Sequence, residues 1–286
     1  MAKLEKNIYK ITWPILVELM FFTLLGTVDT LMLSRFSDTA VGSVGVSNQI
    51  LFLFGILVNV IGLGIVVVSA QYLGAKQQDQ AKETIATGIT GNLIVGIIFS
   101  TVVTIIGRKM LVLIGTDEVL LTDAYAYLRI VGFSLVFIAL RVALSNGFRS
   151  FGKPKIVMMV MIIGNMLNIV INAVLIYGLF GFPELGVRGA AIGTLISRMT
   201  MVALLSIAAY KILDINIFKV KMKLIYLKKI LFIGVPAATE NLMWNIAQVL
   251  IIVVVNHISV DAVITRTYIY TILSFIFIFS FVSKKL

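Results

Sequence analysis

Residues 11–33 read ITWPILVELMFFTLLGTVDTLML, an apolar run long enough to cross a bilayer as one helix. It holds Pro14, Glu18 and Asp29, three residues that hydrocarbon tolerates poorly. Glu18 and Asp29 are eleven positions apart, which returns a helix almost to its starting angle. The two acids therefore share one face, about three turns or roughly 16 Å apart. Carboxylates at such depth point into a bundle or a wet cavity, where they mark ion or substrate paths.

The surrounding chain has the same character. Of its 286 residues, 60% are hydrophobic and only 13% are charged, outside the range of a soluble domain. The pattern predicts an all-α membrane protein, a polytopic bundle of about eight transmembrane helices. The expected spans are Ile11–Leu33, Val44–Ala70, Thr84–Ile106, Ala124–Phe148, Ile156–Phe180, Gly189–Leu213, Ile230–Val255 and Ala262–Val282. The first run is too long for a removable signal peptide, and further spans follow it. Without cysteine there is no disulfide framework and no thiolate metal site.

The net charge of +11 is explained by topology and not by nucleic acid. Alternate connections carry 16 Lys and Arg residues on one side, against Arg35, Arg108, Lys109 and Arg188 on the other. This split predicts a multi-pass cell-membrane protein with both termini in the cytoplasm. The basic stretch 214–229 reads either as an orientation signal and linker or as an interfacial segment held at an anionic leaflet.

A repeat crosses that linker. A shift of 222 residues carries Pro14 onto Pro236, Glu18 onto Glu240, Ser37 onto Ser259 and Val41 onto Val263. The expected organisation is a six-helix lobe over 1–213, a linker over 214–229, and the first two helices of a second lobe over 230–286. A complete second copy would run well past Leu286. The chain is therefore expected to be a truncated product, or else to rely on a complementary chain for the missing helices.

Asn165, Asn168 and Asn172 form an i, i+3, i+7 stripe on the fifth span. Asn172, Thr194 on the sixth span and Asp29 fall at similar depth, and their oxygens suit a hard cation or a proton-bound carboxylate. Interhelical hydrogen bonding is the plainer role for the amides. Glu18 and Glu240 would either line the mouth of a cleft or snorkel towards interfacial lysines. Arg198 is the one deep arginine; it would pair with Glu18 or Asp29, or meet a substrate phosphate. Arg129 and Arg266 are expected to snorkel. Pro14 and Pro236 would start their helices or act as hinges, and their closeness to the span ends favours helix initiation. Gly88, Gly91, Gly189 and Gly193 are expected to permit close helix contact. Nothing resembles H-E-x-x-H, a P-loop or G-x-S-x-G, so an enzyme is not expected.

The run Pro183-Glu-Leu-Gly-Val-Arg-Gly-Ala-Ala-Ile-Gly-Thr194 resembles the outer-loop-to-helix-6 signature of the multidrug and toxic compound extrusion (MATE) transporters. Val28-Asp-Thr30, Gln71-Tyr-Leu-Gly-Ala75 and Phe148-Arg-Ser-Phe-Gly-Lys-Pro154 match the same family's pattern. The resemblance implies export of small cationic amphipathic compounds in exchange for Na⁺ or H⁺, with no other cofactor. It also implies a cation site of Asp29, Asn168, Asn172, the Ala190 carbonyl and Thr194. Some members carry Asp where Asn172 stands, which leaves the ion open. A lipid-linked oligosaccharide flippase of similar architecture is the alternative, and it would need several arginines in the cavity.

Overall fold

The computed structural model describes residues 2–216 and 222–283. A number of side chains in α1, α8 and α9, including Glu240 and Trp244, lie outside the described residues, as does the middle of the basic linker. The chain is 89% helical, and no strand occurs among the described residues. The helices are α1 (Ala2–Ser34), α2 (Asp38–Gly74), α3 (Gln78–Leu113), α4 (Glu118–Phe133), α5 (Leu135–Ser150), α6 (Pro154–Tyr177), α7 (Gly186–Ala208), α8 (Leu224–Asn256) and α9 (Val260–Ser283).

Local chemistry sets the boundaries. The Ser37 hydroxyl accepts the Thr39 N–H at 3.2 Å to cap α2, and Asp117 Oδ1 accepts the Val119 N–H at 2.8 Å to cap α4. Pro154 opens α6 in the first turn, where its missing N–H costs nothing, and Gly178 ends it at φ 66°. Among the described residues, four helices are long and apolar enough to cross a membrane, namely α2, α3, α6 and α7 with its π-helical extension to Leu213. The α4–α5 pair is long and apolar enough only when its two bent helices are taken together. The protein is thus a multi-pass membrane protein. Exposed Met159, Ile163, Met166 and Val170 line one face of α6, where the bundle meets lipid instead of water.

The fourth expected span, Ala124–Phe148, is not one straight helix. It bends by 43° between α4 and α5. Ser134 causes the break: its Oγ donates to the Val131 carbonyl at 2.6 Å and diverts the helical ladder. Helix initiation by Pro14 and Pro236 is also corrected. Both prolines lie inside their helices, each twelve residues from the first residue of α1 or α8. Hydropathy marks only the lipid-crossing part of a helix, and here hydrogen bonding continues towards water. The first expected span of the second lobe likewise starts earlier, since Leu224–Lys229 of the linker belongs to α8.

Helix α2 is the hub, packing against α1, α3, α4, α5, α8 and α9. Ser43 Oγ and Ser47 Oγ donate to the Leu120 and Ala124 carbonyls of α4 at 3.1 and 2.9 Å. Further along its length α2 meets α8 backbone to backbone. A Cβ on Gly64 would strike the Ile230 carbonyl, and one on Gly234 would strike the Val60 carbonyl. Such contact is the main source of helix association where lipid removes the hydrophobic drive. Gly64→Ala is expected to cost about 1–3 kcal/mol as backbones are forced apart. The readout is a lower melting temperature in detergent, with Gly55→Ala unchanged because a Cβ at Gly55 meets nothing within 4 Å.

The helix boundaries follow the spacing seen in the sequence. Ala2–Ser34 shifted by 222 residues becomes Leu224–Asn256, and Asp38 becomes Val260, the start of α9. The capping chemistry repeats too, since Ser259 Oγ accepts the Ala262 N–H at 3.1 Å.

Candidate functional site

Asp29 sits on α1 facing α6, and α6 packs on α7. The Asn172 Nδ2 donates to Asp29 Oδ1 at 2.8 Å. The Asn168 amide satisfies both its ends with its nitrogen 3.0 Å from the same carboxylate oxygen and its oxygen accepting the Thr194 N–H at 3.2 Å. The Tyr127 hydroxyl of α4 lies near Thr194 and near Asn48 of α2. Ala190 is buried one turn before Thr194 on α7. Asp29, Asn168, Asn172, Ala190 and Thr194 are thus brought to one locality.

Two details define what the cluster can do. Asp29 receives neutral amide donors, and no basic side chain lies within ion-pair distance among the described residues. Amide donors steady a carboxylate without cancelling its charge, so a proton or a cation can still be taken up. Asn172 Oδ1 is buried and has no partner, an acceptor of the kind that a cation satisfies. Gly193 makes the space for it, since a Cβ there would overlap Asn172 Oδ1. Gly193 therefore serves the polar cluster as well as helix contact. Gly193→Ala is expected to cost about 1–3 kcal/mol by displacing the Asn172 amide. Any Na⁺-induced rise in melting temperature should be lost with it.

Asn165 departs from the other two amides. Its Nδ2 donates to the Phe21 carbonyl at 3.0 Å, a staple between α6 and α1. Arg198 does not pair with Glu18 or Asp29. Its Nη1 donates to Ser134 Oγ at 2.5 Å, so the deep arginine is held by the elbow between α4 and α5. Glu18 is held elsewhere: Arg149 Nη2 reaches its two carboxylate oxygens at 2.6 and 2.7 Å. At 6% exposure Glu18 does not stand open at a cleft mouth. The Glu240 side chain lies outside the described residues.

Sequence reasoning missed Tyr127 and Arg149. Tyr127 shares its helical stripe with apolar Ala124, Leu128 and Val131, so nothing distinguishes it from core until α4 is laid against α7. Arg149 counts towards the charge bias. Its place in Phe148-Arg-Ser-Phe-Gly-Lys-Pro154 was the available signal of another role. Among the described residues no group of three or more His, Asp or Glu could hold a metal ion on its own.

The MatE family profile matches residues 14–174, more than half of the chain. The chain belongs to the MATE family. MATE proteins are transporters and not enzymes. Uncharacterized transporter YisQ of Bacillus subtilis is 38% identical over 277 residues, 96% of this chain and 61% of the relative. The probable multidrug resistance protein NorM of Thermotoga maritima is 26% identical, covering 85% of this chain and 53% of the relative. Among solved MATE structures, the multidrug transporter DinF-BH aligns with a TM-score of 0.84 at 21% identity, over 96% of this chain and 61% of that one. An inward-facing MATE multidrug resistance transporter aligns with a TM-score of 0.77 at 22% identity, over 91% and 60% of the two chains. The chain thus spans between about half and two thirds of the length of these MATE relatives.

Proposed function

We propose that the protein works as a cation-coupled multidrug efflux antiporter, exporting cationic amphipathic compounds in exchange for Na⁺ or H⁺. Asp29 is the coupling acid, and Asn168, Asn172, Ala190 and Thr194 complete the site. The carrying observation is the half-buried carboxylate that receives amide donors, beside the partnerless Asn172 Oδ1. A proton on Asp29, or Na⁺ shared between Asp29 and the nearby oxygens, fits that chemistry. The names of the NorM relatives, multidrug resistance proteins, support the multidrug part of this reading.

In this reading 1–213 form one six-helix lobe, the basic linker and both termini lie in the cytoplasm, and α8 and α9 open a second lobe. The equal boundaries of α1 and α8 under the 222-residue shift support the two-lobe arrangement. The interior prolines, at matching positions in α1 and α8, each remove a ladder hydrogen bond, which favours hinges. The flippase alternative rests on Arg198, and that guanidinium is already taken up by Ser134.

The test is efflux of a cationic dye from proteoliposomes under an imposed Na⁺ or pH gradient. The 286-residue chain and its longest encoded form are assayed side by side. Efflux that rises with either gradient supports the proposal. A rate indifferent to both gradients in the longest form overturns it. Efflux by the 286-residue chain alone overturns the expectation of a non-transporting fragment.

A further inference from the structure

The end of the bundle away from the N terminus is poor in Lys and Arg between its spans, as orientation by charge requires. Three of its arginines nevertheless converge. A cavity of about 630 Å³ opens between α3, α4 and α7, and Arg108, Arg129 and Arg188 line it. Each comes from a different helix: the last turns of α3, the second half of α4 and the first turn of α7. No carboxylate lines the cavity. Among the described residues none of the three guanidinium groups has a hydrogen-bonded or ion-paired partner.

Three like charges around one space repel each other, and only an anion relieves them. Guanidinium forks match the oxygens of a phosphate group better than ammonium groups do. The Thr122 and Tyr125 side chains add hydroxyl donors, and Leu121 adds an apolar wall. The position selects the source of that phosphate. α4 packs on α2, α3 and α7, whereas α8 and α9 pack chiefly on α1, α2 and α3, so the cavity lies away from the start of the second lobe. Exposed Ile105 and Ile106 on α3 and Phe133 on α4 stand close by in sequence, on the perimeter that meets lipid.

We propose that this cavity binds the headgroup phosphate of an anionic phospholipid, with an acyl chain laid along α4. Snorkelling explains one arginine at an interface, but it does not bring three from separate helices to one space. The site is separate from Asp29 and does not depend on which ion or drug is carried.

The test measures retention of phosphatidylglycerol by the purified full chain in detergent, by native mass spectrometry and by lipid-induced shifts in melting temperature. Phosphatidylcholine and inorganic phosphate serve as the two comparison ligands. The expected result is preferential binding of phosphatidylglycerol. Each of Arg108→Gln, Arg129→Gln and Arg188→Gln should weaken it about fivefold, and the triple variant on the order of a hundredfold. Arg35→Gln and Lys109→Gln, on the same side but outside the cavity, should bind as the parent does. A triple lysine variant should retain part of the affinity, since charge persists while the fork geometry is lost. Should the triple glutamine variant not fold, the three single variants carry the same test. Undiminished phosphatidylglycerol binding in the glutamine variants overturns the proposal. Equal binding of phosphatidylcholine, or displacement of the lipid by millimolar inorganic phosphate, overturns the anionic-lipid assignment.

Discussion

Asp29→Asn is expected to reduce gradient-driven dye efflux to the passive leak of protein-free vesicles, with the fold intact. The substitution keeps the shape of the side chain and removes the one charge in the cluster. Asn168 and Asn172 would then surround a third neutral amide, and no acid would remain there to take up a proton or anchor Na⁺. Stability should move the other way. An intramembrane carboxylate without a basic partner is costly, so the variant should melt at or above the temperature of the parent. Loss of coupling without loss of stability separates a functional acid from a structural one. Dye binding should persist, because the cluster around Asp29 is proposed to hold the ion. Unchanged coupling in Asp29→Asn would remove Asp29 from the mechanism. Asp29→Glu makes a second arm: it keeps the charge but lengthens the side chain against the Asn172 and Asn168 amides that now hold it. Partial coupling is expected, with altered preference between Na⁺ and H⁺.

The elements of this site were legible because helical periodicity and depth are both linear in sequence. The spacing of Asn168 and Asn172, and the distance of Asp29 and Thr194 from their span ends, place four polar groups at one level before any packing is known. Sequence periodicity cannot tell which neighbour a helix face meets. For that reason Asn165 is equivalent to Asn168 in sequence, and only packing sets it against the Phe21 carbonyl. Arg198 departs from expectation for a related reason. A carboxylate partner follows if buried charge must meet opposite charge, yet a break in the backbone at Ser134 supplies a hydroxyl instead. That break has no strong signal, since one serine within an apolar run is tolerated in most helices. The prolines differ from expectation because the window that detects a span stops at the interface, whereas α1 and α8 continue through it.

Arg149→Gln is expected to destabilise the lobe more than Glu18→Gln, although both break the same pair. The two charges share one bidentate contact but not one environment. The Glu18 side chain is 8% exposed, whereas that of Arg149 is 27% exposed. Removing Arg149 leaves a carboxylate buried without a partner. Removing Glu18 leaves a guanidinium that still donates to Asn146 Oδ1 at 3.2 Å and can turn towards water or headgroups. Breaking a buried pair from one side costs about 3 kcal/mol or more. Arg149→Gln should approach that figure, and Glu18→Gln should fall near about 1 kcal/mol, the scale of a partly solvated pair. The double variant should cost less than the sum, because the second substitution removes the uncompensated charge that the first leaves behind. Thermal melting of the four proteins in one detergent measures the cycle. The asymmetry also bears on function. Glu18 joins α1 to α5 through Arg149, four residues beyond Pro14. If α1 bends at that proline during transport, this ion pair is a contact that holds the Glu18 end of the helix while the Asp29 end moves. Arg149→Gln should then slow efflux even at temperatures where the variant remains folded. Equal melting temperatures for the two single variants would show that Glu18 is as well solvated as Arg149 and would remove the basis for that role.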